Sequence, residues 1–166
     1  RTVVKGYCST GLRRCCSIYD ERGEFMPERI LAVDDEPDML KLLSMIIKEK
    51  TPYEISTTNN PLEALELTKQ GGFDIVIADL KMPGLDGIEF LDAVKSVDEN
   101  IPVIIITAYS TAESAAETMY KGAFDFITKP FRKEQILYTI DRALKWVKLQ
   151  KENKMLKEQL KKMNSE

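Results

Sequence analysis

Residues 29–148 alternate between short apolar runs and longer stretches in which apolar residues recur every three or four positions. The short runs are typical of strands buried on both faces, and the longer stretches are typical of amphipathic helices. The predicted strands lie in RILAVDD, YEISTTN, FDIVIAD, PVIIITAY and FDFITKP. Helices are predicted after them in EPDMLKLLSMIIKEK, NPLEALELTKQGG, GIEFLDAVKSVDEN, STAESAAETMYKG and KEQILYTIDRALKW. The pattern therefore predicts five successive strand–helix units.

Five such units predict an α/β fold, a doubly wound five-stranded parallel sheet with helices on both faces. The second strand alternates apolar and polar residues, so we expect it at or near an edge of the sheet. Asn60 and Pro61 suit the start of a helix, and Gly71 and Gly122 suit helix ends. Because the binding crevice of such sheets lies at the carboxyl ends of the strands, functional residues are expected there.

Polar side chains follow four of the five predicted strands. The first strand ends in Asp34 and Asp35, the third in Asp79, the fourth in Thr107 and the fifth in Lys129. Since the carboxyl ends of parallel strands share one rim, we expect three carboxylates, one hydroxyl and one ammonium to converge. Carboxylates that lie so close together repel one another. A hard divalent cation such as Mg²⁺ would offset this repulsion.

This set of groups favours phosphoryl transfer to Asp79. A carboxylate that is already ionised at pH 7 can attack phosphorus without a general base. A lysine and a hydroxyl can then bind the oxygens of the transferred group. The chain contains no histidine, which excludes Ser-His-Asp and Cys-His catalysis and zinc binding through imidazole. Any histidine chemistry must come from another protein.

The motifs at the strand ends resemble those of the receiver domain of bacterial two-component response regulators. The resemblance covers about residues 28–148. It rests on Asp34-Asp35, on DLKMPGLDG starting at Asp79, on Thr107-Ala108 and on Lys129-Pro130-Phe131. It implies a flavodoxin-like sheet with strand order 2-1-3-4-5. It also implies a switch in which Asp79 accepts a phosphoryl group from a sensor histidine kinase, with no catalysis beyond its own phosphoryl transfer and autodephosphorylation.

The resemblance further implies a set of ligands for Mg²⁺. Asp35 and Asp79 would bind the ion directly, and the main-chain carbonyl of Lys81 would complete the protein ligands. Asp34 would act mainly through water.

The remaining motif residues would detect the phosphoryl group. Lys129 would bind it, with a cis peptide before Pro130, and Thr107 would be the switch hydroxyl. Phe126 would be the switch aromatic. Many relatives carry Tyr at that position, and because Phe has no hydroxyl, a switch here would work by packing alone.

Other interpretations of these residues stay open. The acidic run Asp34-Asp35-Glu36 could charge the N-terminus of the first helix, which is compatible with metal binding. Phe126 could be an ordinary core residue. An aspartate nucleophile also serves haloacid-dehalogenase-type phosphatases, but these need a carboxylate two residues later, where this chain has Lys81. A degenerate receiver that acts only as a protein-binding module would lack the intact acidic set.

The last predicted helix continues into a segment rich in Lys, Glu and Leu, with apolar positions at heptad spacing. We divide the chain into an arm at 1–25, a receiver at 26–142 and a linker helix at 143–166. The spacing predicts a parallel two-stranded coiled coil, hence a homodimer. The alternative is a solvated linker helix. The predicted seam consists of Trp146, Leu149, Asn153, Leu156, Leu160 and Met163.

This linker resembles that of nitrogen-regulator-type, sigma-54-dependent activators, in which an AAA+ ATPase and a DNA-binding domain follow. Neither follows here, so we expect a regulatory fragment that contacts no nucleic acid. The net charge of −3, without a basic cluster, agrees with that expectation.

Residues 1–25 show no clear periodicity and contain all three cysteines, Cys8, Cys15 and Cys16. We interpret them as vector-derived or unstructured, because the cysteine spacing matches no zinc pattern. A metal-binding or disulfide-bonded arm is the alternative. No apolar stretch is long enough to span a membrane and no signal peptide is apparent, so we expect a cytoplasmic protein.

Overall fold

The computed structural model describes residues 18–19 and 25–163, and within them one parallel sheet organises the chain. Its strands lie in the order β2-β1-β3-β4-β5, which confirms the predicted fold class and strand order. The edge position predicted for the second strand is also confirmed. The strands are β1 (Arg29–Val33), β2 (Glu54–Thr58), β3 (Ile75–Ala78), β4 (Val103–Thr107) and β5 (Asp125–Thr128). The helices are α1 (Pro37–Lys50), α2 (Pro61–Gln70), α3 (Gly87–Val97), α4 (Ala112–Tyr120) and α5 (Lys133–Met163).

Helices cover both faces of the sheet because the strands are apolar on both. Alternate residues of β1 point to opposite faces, so Ile30 joins a cluster with α1 and α5 while Leu31 joins a cluster with α2 and α3. The strands β3 and β4 are buried along their whole length. This packing holds the strand ends rigidly, which is what a site built on them requires.

The helix α5 belongs to two environments. Its buried residues extend to Val147, five residues past the predicted boundary at 142. Trp146 is half-buried, and its ring centroid lies 6.1 Å from that of Phe124. The first position of the predicted seam therefore packs on its own receiver. Residues 149–163 are exposed.

The amino-terminal arm lies outside the described residues except at its end. There Ile18–Tyr19 pairs antiparallel with Phe25–Met26. The three cysteines fall in the part that is not described. Among the described residues, no helix combines the length and the hydropathy needed to cross a bilayer.

Candidate functional site

The ends of β1 and β3 bring the three predicted aspartates together. Asp34 and Asp35 directly follow Val33, and Asp79 directly follows Ala78, which pairs with Val33 across the two strands. One carboxylate oxygen from each aspartate lies within 4.8 Å of the others. Asp34 and Asp79 are buried and Asp35 is exposed. The predicted convergence of the three carboxylates is therefore present in the fold.

Lys129 enters this acidic group from the end of β5. Its Nζ donates to Asp34 Oδ2 at 2.8 Å and to Asp79 Oδ2 at 3.0 Å. A third bond goes to Glu36 Oε1 at 3.1 Å. The side chain is only 8% exposed, and its backbone N–H donates to the Thr107 carbonyl at 2.8 Å. The Lys129–Pro130 peptide is cis, as predicted.

Burial and charge shift the pKa values of this group. Burial raises the pKa of Asp34 above its ordinary value, although the Lys129 ammonium and the Glu36 backbone N–H both oppose the shift. Burial would lower the pKa of Lys129, but its hydrogen bonds to Asp34, Asp79 and Glu36 raise that pKa above its ordinary value. Lys129 therefore carries its charge at neutral pH, within a group of carboxylates that are crowded together.

The loop after β3 fixes the orientation of Asp79. The backbone N–H of Lys81 donates to Asp79 Oδ1 at 3.2 Å. The first residue of α3, Gly87, lies so close that an added Cβ would sit 2.3 Å from the Asp79 carbonyl oxygen. Its N–H donates to the Leu80 carbonyl at 2.8 Å. Only glycine allows this approach, so Gly87 positions Asp79, a role that the sequence analysis did not assign.

The two predicted switch residues lie on neighbouring strands. Thr107 is fully buried, and its hydroxyl accepts a hydrogen bond from the Tyr109 N–H at 3.1 Å. Phe126 is half-buried and packs against the cluster on the α2–α3 face. Ile105 pairs with Phe126, and Thr107 pairs with Thr128, one residue before Lys129. The strand register thus links the switch positions to the lysine.

Sequence reasoning also missed Glu36, which we assigned only to the charge at the start of α1. Glu36 is the N-cap residue of that helix, but its side chain makes no capping hydrogen bond. It binds Lys129 instead. The available signal was its position next to Asp34-Asp35, on the same rim as the fifth strand end.

Comparison with known proteins gives a consistent result. The model of the response regulator receiver domain family matches residues 30–141. The chain is 36% identical over 120 residues to the transcriptional regulatory protein ZraR of Klebsiella oxytoca. That alignment covers 72% of this chain and 27% of the relative, so the chain spans about a quarter of that protein.

Two shorter relatives match almost end to end. Sporulation initiation phosphotransferase F of Bacillus subtilis is 38% identical over 119 residues, which cover 72% of this chain and 95% of that protein. The solution structure of the beryllofluoride-activated NtrC4 receiver domain dimer superposes with a TM-score of 0.68 at 34% identity. It covers 72% of this chain and 98% of its own.

Proposed function

The chain belongs to the response regulator receiver domain family, and from this membership and the geometry of the strand ends we propose that it is a phosphorylation-activated switch of two-component signalling. Asp79 accepts the phosphoryl group from the phosphohistidine of a sensor kinase. One observation carries the assignment. Asp79 is a buried carboxylate, 4% exposed, with Lys129 on one oxygen and the Lys81 N–H on the other.

The reaction needs no base from this chain. An oxygen of the Asp79 carboxylate forms a bond to phosphorus while the phosphorus–nitrogen bond of the phosphohistidine breaks. The imidazole nitrogen keeps that electron pair and takes a proton from solvent. The Lys129 ammonium, already 3.0 Å from Asp79 Oδ2, can donate to a phosphoryl oxygen and offset its charge. We propose no catalysis beyond this transfer and the later hydrolysis of the phosphoaspartate.

The acidic residues suit a divalent cation. Carboxylates are the ligands that Mg²⁺ prefers, and three of them offer oxygens within one small region. Asp35 and Asp79 would hold the ion directly together with the main-chain carbonyl of Lys81, and Asp34 would hold it through water. When bound, Mg²⁺ supplies positive charge that offsets both the carboxylates and the phosphoryl oxygens.

Replacement of the acceptor tests the proposal. Asp79→Asn should abolish covalent labelling by acetyl phosphate and Mg²⁺, because an amide oxygen cannot form a stable phosphoanhydride-like bond. Intact-protein mass spectrometry is the measurement, and circular dichroism checks that the fold is retained. Asp38→Asn is the matched control, since Asp38 is exposed and should leave labelling at the wild-type level. A phosphoryl adduct on the Asp79→Asn variant would refute the assignment.

The output of the switch involves the hydroxyl of Thr107 and the ring of Phe126. Thr107 turns toward the phosphoryl group, giving up its bond from the Tyr109 N–H, and Phe126 moves into the space it leaves. The surface of α4, β5 and α5 then changes.

We place the protein in the cytoplasm with a sensor histidine kinase as its phosphodonor. By resemblance of the linker, it controls a sigma-54-dependent ATPase and DNA-binding output.

The linker helix forms a homodimer through its seam. Leu149 lies two residues after the buried Val147, which is ~200° around the helix, so the seam faces away from the receiver. Leu156 and Leu160 are each 57% exposed. Asn153 can pair with its symmetry mate and fix a parallel, two-stranded register. Because Trp146 packs on Phe124 of its own receiver, the part of the seam that can contact a second chain begins at Leu149.

Sedimentation equilibrium tests the dimer. Leu156→Glu should dissociate it, because a carboxylate at a d position has no partner in the seam. Met155→Glu is the matched control, since Met155 is an exposed apolar residue one position outside the seam. If both variants sediment alike, the seam is not the interface.

A further inference from the structure

The carboxylate of Glu36 has an unusual partner for a residue at the start of a helix. Glu36 has extended backbone angles (φ −88°, ψ 105°) and lies at the N-cap of α1, where a side chain would ordinarily satisfy free backbone N–H groups. It makes no such bond. Its own N–H donates to Asp34 Oδ1 at 2.9 Å, and its carboxylate accepts from Lys129 Nζ at 3.1 Å.

Lys129 thereby uses all of its donors. An ammonium has three N–H groups, and three carboxylates accept from this one. A phosphoryl oxygen that binds Lys129 must displace one of them. Asp34 and Asp79 are each 4% exposed, so release would leave a buried carboxylate without its ammonium. Glu36 is 60% exposed, and water can solvate it after release.

We propose, on the basis of the function above, that Glu36 is a positioning residue that occupies the third N–H of Lys129 until a phosphoryl group replaces it. Glu36 competes with the phosphoryl group for the ammonium and adds a negative charge beside it. Both effects weaken binding of a phosphoryl group or its analogue. The residue therefore sets how readily the receiver enters its activated state.

Beryllofluoride, which has the shape and charge of a phosphoryl group, is the probe. It is titrated at saturating Mg²⁺ into the wild-type chain, Glu36→Gln and Asp38→Asn, and its occupancy is read by fluorine NMR. Glu36→Gln should bind about five-fold more tightly, which is the factor that ~1 kcal/mol represents. Asp38→Asn removes the same charge two residues away. Asp38 is 97% exposed and pairs with Lys41 at 3.5 Å, so its variant should bind like the wild type.

A second measurement separates this role from general charge or stability. Proton exchange of the Lys129 ammonium, followed by NMR, should be faster in Glu36→Gln and unchanged in Asp38→Asn, because only the first replaces a charged acceptor of Lys129 by a neutral amide oxygen, which holds the N–H more weakly. Equal affinities for the two variants, or no gain in Glu36→Gln, would overturn the role of Glu36 while leaving the receiver assignment intact. A wild-type chain that binds no beryllofluoride would instead overturn the proposed function, and this inference with it.

Discussion

Two neighbouring strands, β1 and β3, each have a carboxylate residue next to both of their ends. The carboxylates at the amino ends and those at the carboxyl ends differ in how they are paired with lysines. Glu28 and Asp74 lie before the strands, and Asp34 and Asp79 lie after them. At the amino ends each carboxylate has its own lysine from α5. At the carboxyl ends the acids share a single ammonium, that of Lys129.

The amino ends form closed ion pairs. Lys148 Nζ lies 3.1 Å from Glu28 Oε1, and Lys151 Nζ lies 3.2 Å from Asp74 Oδ1. Both lysines come from the first turns of α5 beyond its packed part. Charge is balanced, and the pairs fasten the start of the exposed linker helix to the receiver. Lys148 is 29% exposed and Lys151 is 53% exposed, so Lys151 stays on the solvated face of the helix while it pairs with Asp74.

The carboxyl ends are unbalanced. Within residues 25–163, Lys129 faces Asp34, Asp79 and Glu36, with Asp35 beside them. Four carboxylates around one ammonium leave negative charge that the fold itself does not offset. A structural ion pair has no need of such an excess, whereas a site suited to a divalent cation does. Charge balance, more than burial, thus distinguishes the two ends.

Removal of the lysine at each end should give the largest contrast. Lys129→Met should lower the free energy of unfolding by about 3 kcal/mol at pH 7 without Mg²⁺, because it leaves two buried carboxylates without an ammonium. Lys151→Met should lower it by only about 0.5 kcal/mol, since Lys151 is half-exposed and Asp74 keeps a bond from the Arg29 N–H. Urea unfolding is the measurement, and equal losses would contradict the comparison.

The contribution of Lys129 to the free energy of unfolding should depend on pH with a defined sign, which urea unfolding of the wild type and Lys129→Met at several pH values would measure. The pKa of Lys129 is raised in the folded chain, so the folded state holds this proton more tightly than the unfolded state. Its contribution is complete below the ordinary lysine pKa of 10.5 and is lost as the pH rises above it. The wild type should therefore lose more stability above that pH than Lys129→Met does.

Mg²⁺ should stabilise the protein through the carboxyl ends alone. At a concentration ten times its dissociation constant, a bound ion raises the free energy of unfolding by about 1.4 kcal/mol. We expect this gain in the wild type and in Asp74→Asn, and its loss in Asp35→Asn, because Asp35 is a proposed ligand that Lys129 does not contact. Thermal unfolding with and without Mg²⁺ is the measurement. A gain that survives in Asp35→Asn would remove that residue from the ligands.

The sequence was sufficient for the parts of the molecule that depend on periodicity. Apolar runs located the strands, and because parallel strands end at one rim, Asp34, Asp35, Asp79 and Lys129 were assembled without coordinates. Contacts set by side-chain reach were not accessible in this way. Glu36 could satisfy either the helix start or Lys129, and only the relative position of β5 decides between them.

Three other features could not be predicted for similar reasons. The close approach of Gly87 to Asp79 depends on how the loop folds back onto its strand. The positions of Lys148 and Lys151 in the heptad pattern are compatible with a solvated face and with an ion-paired one. The pattern contains no information about the acids at the amino ends of the strands. Trp146 likewise has the heptad spacing of the seam, but in the fold its ring packs against Phe124 of the same chain.

The smallest effect should be a local one, at the start of the linker helix. The pairs of Lys148 and Lys151 are partly exposed, so added salt screens them, with a screening length of about 3 Å at 1 M. Hydrogen exchange of the amides at 148–152 should then become about two- to five-fold faster, as expected for pairs worth ~0.5–1 kcal/mol.

The double variant Lys148→Met/Lys151→Met should show the same acceleration at low salt and no further response to salt. Amides of β3 and of the packed part of α5 should be unaffected in both experiments, since their protection depends on burial. Lys129, only 8% exposed, is shielded from the added ions, so ammonium exchange at the carboxyl ends should not respond to salt either. If added salt accelerates exchange at Lys129 as much as it does at residues 148–152, the ion pairs at the two ends are equally open to screening. The contrast between the two ends would then be wrong.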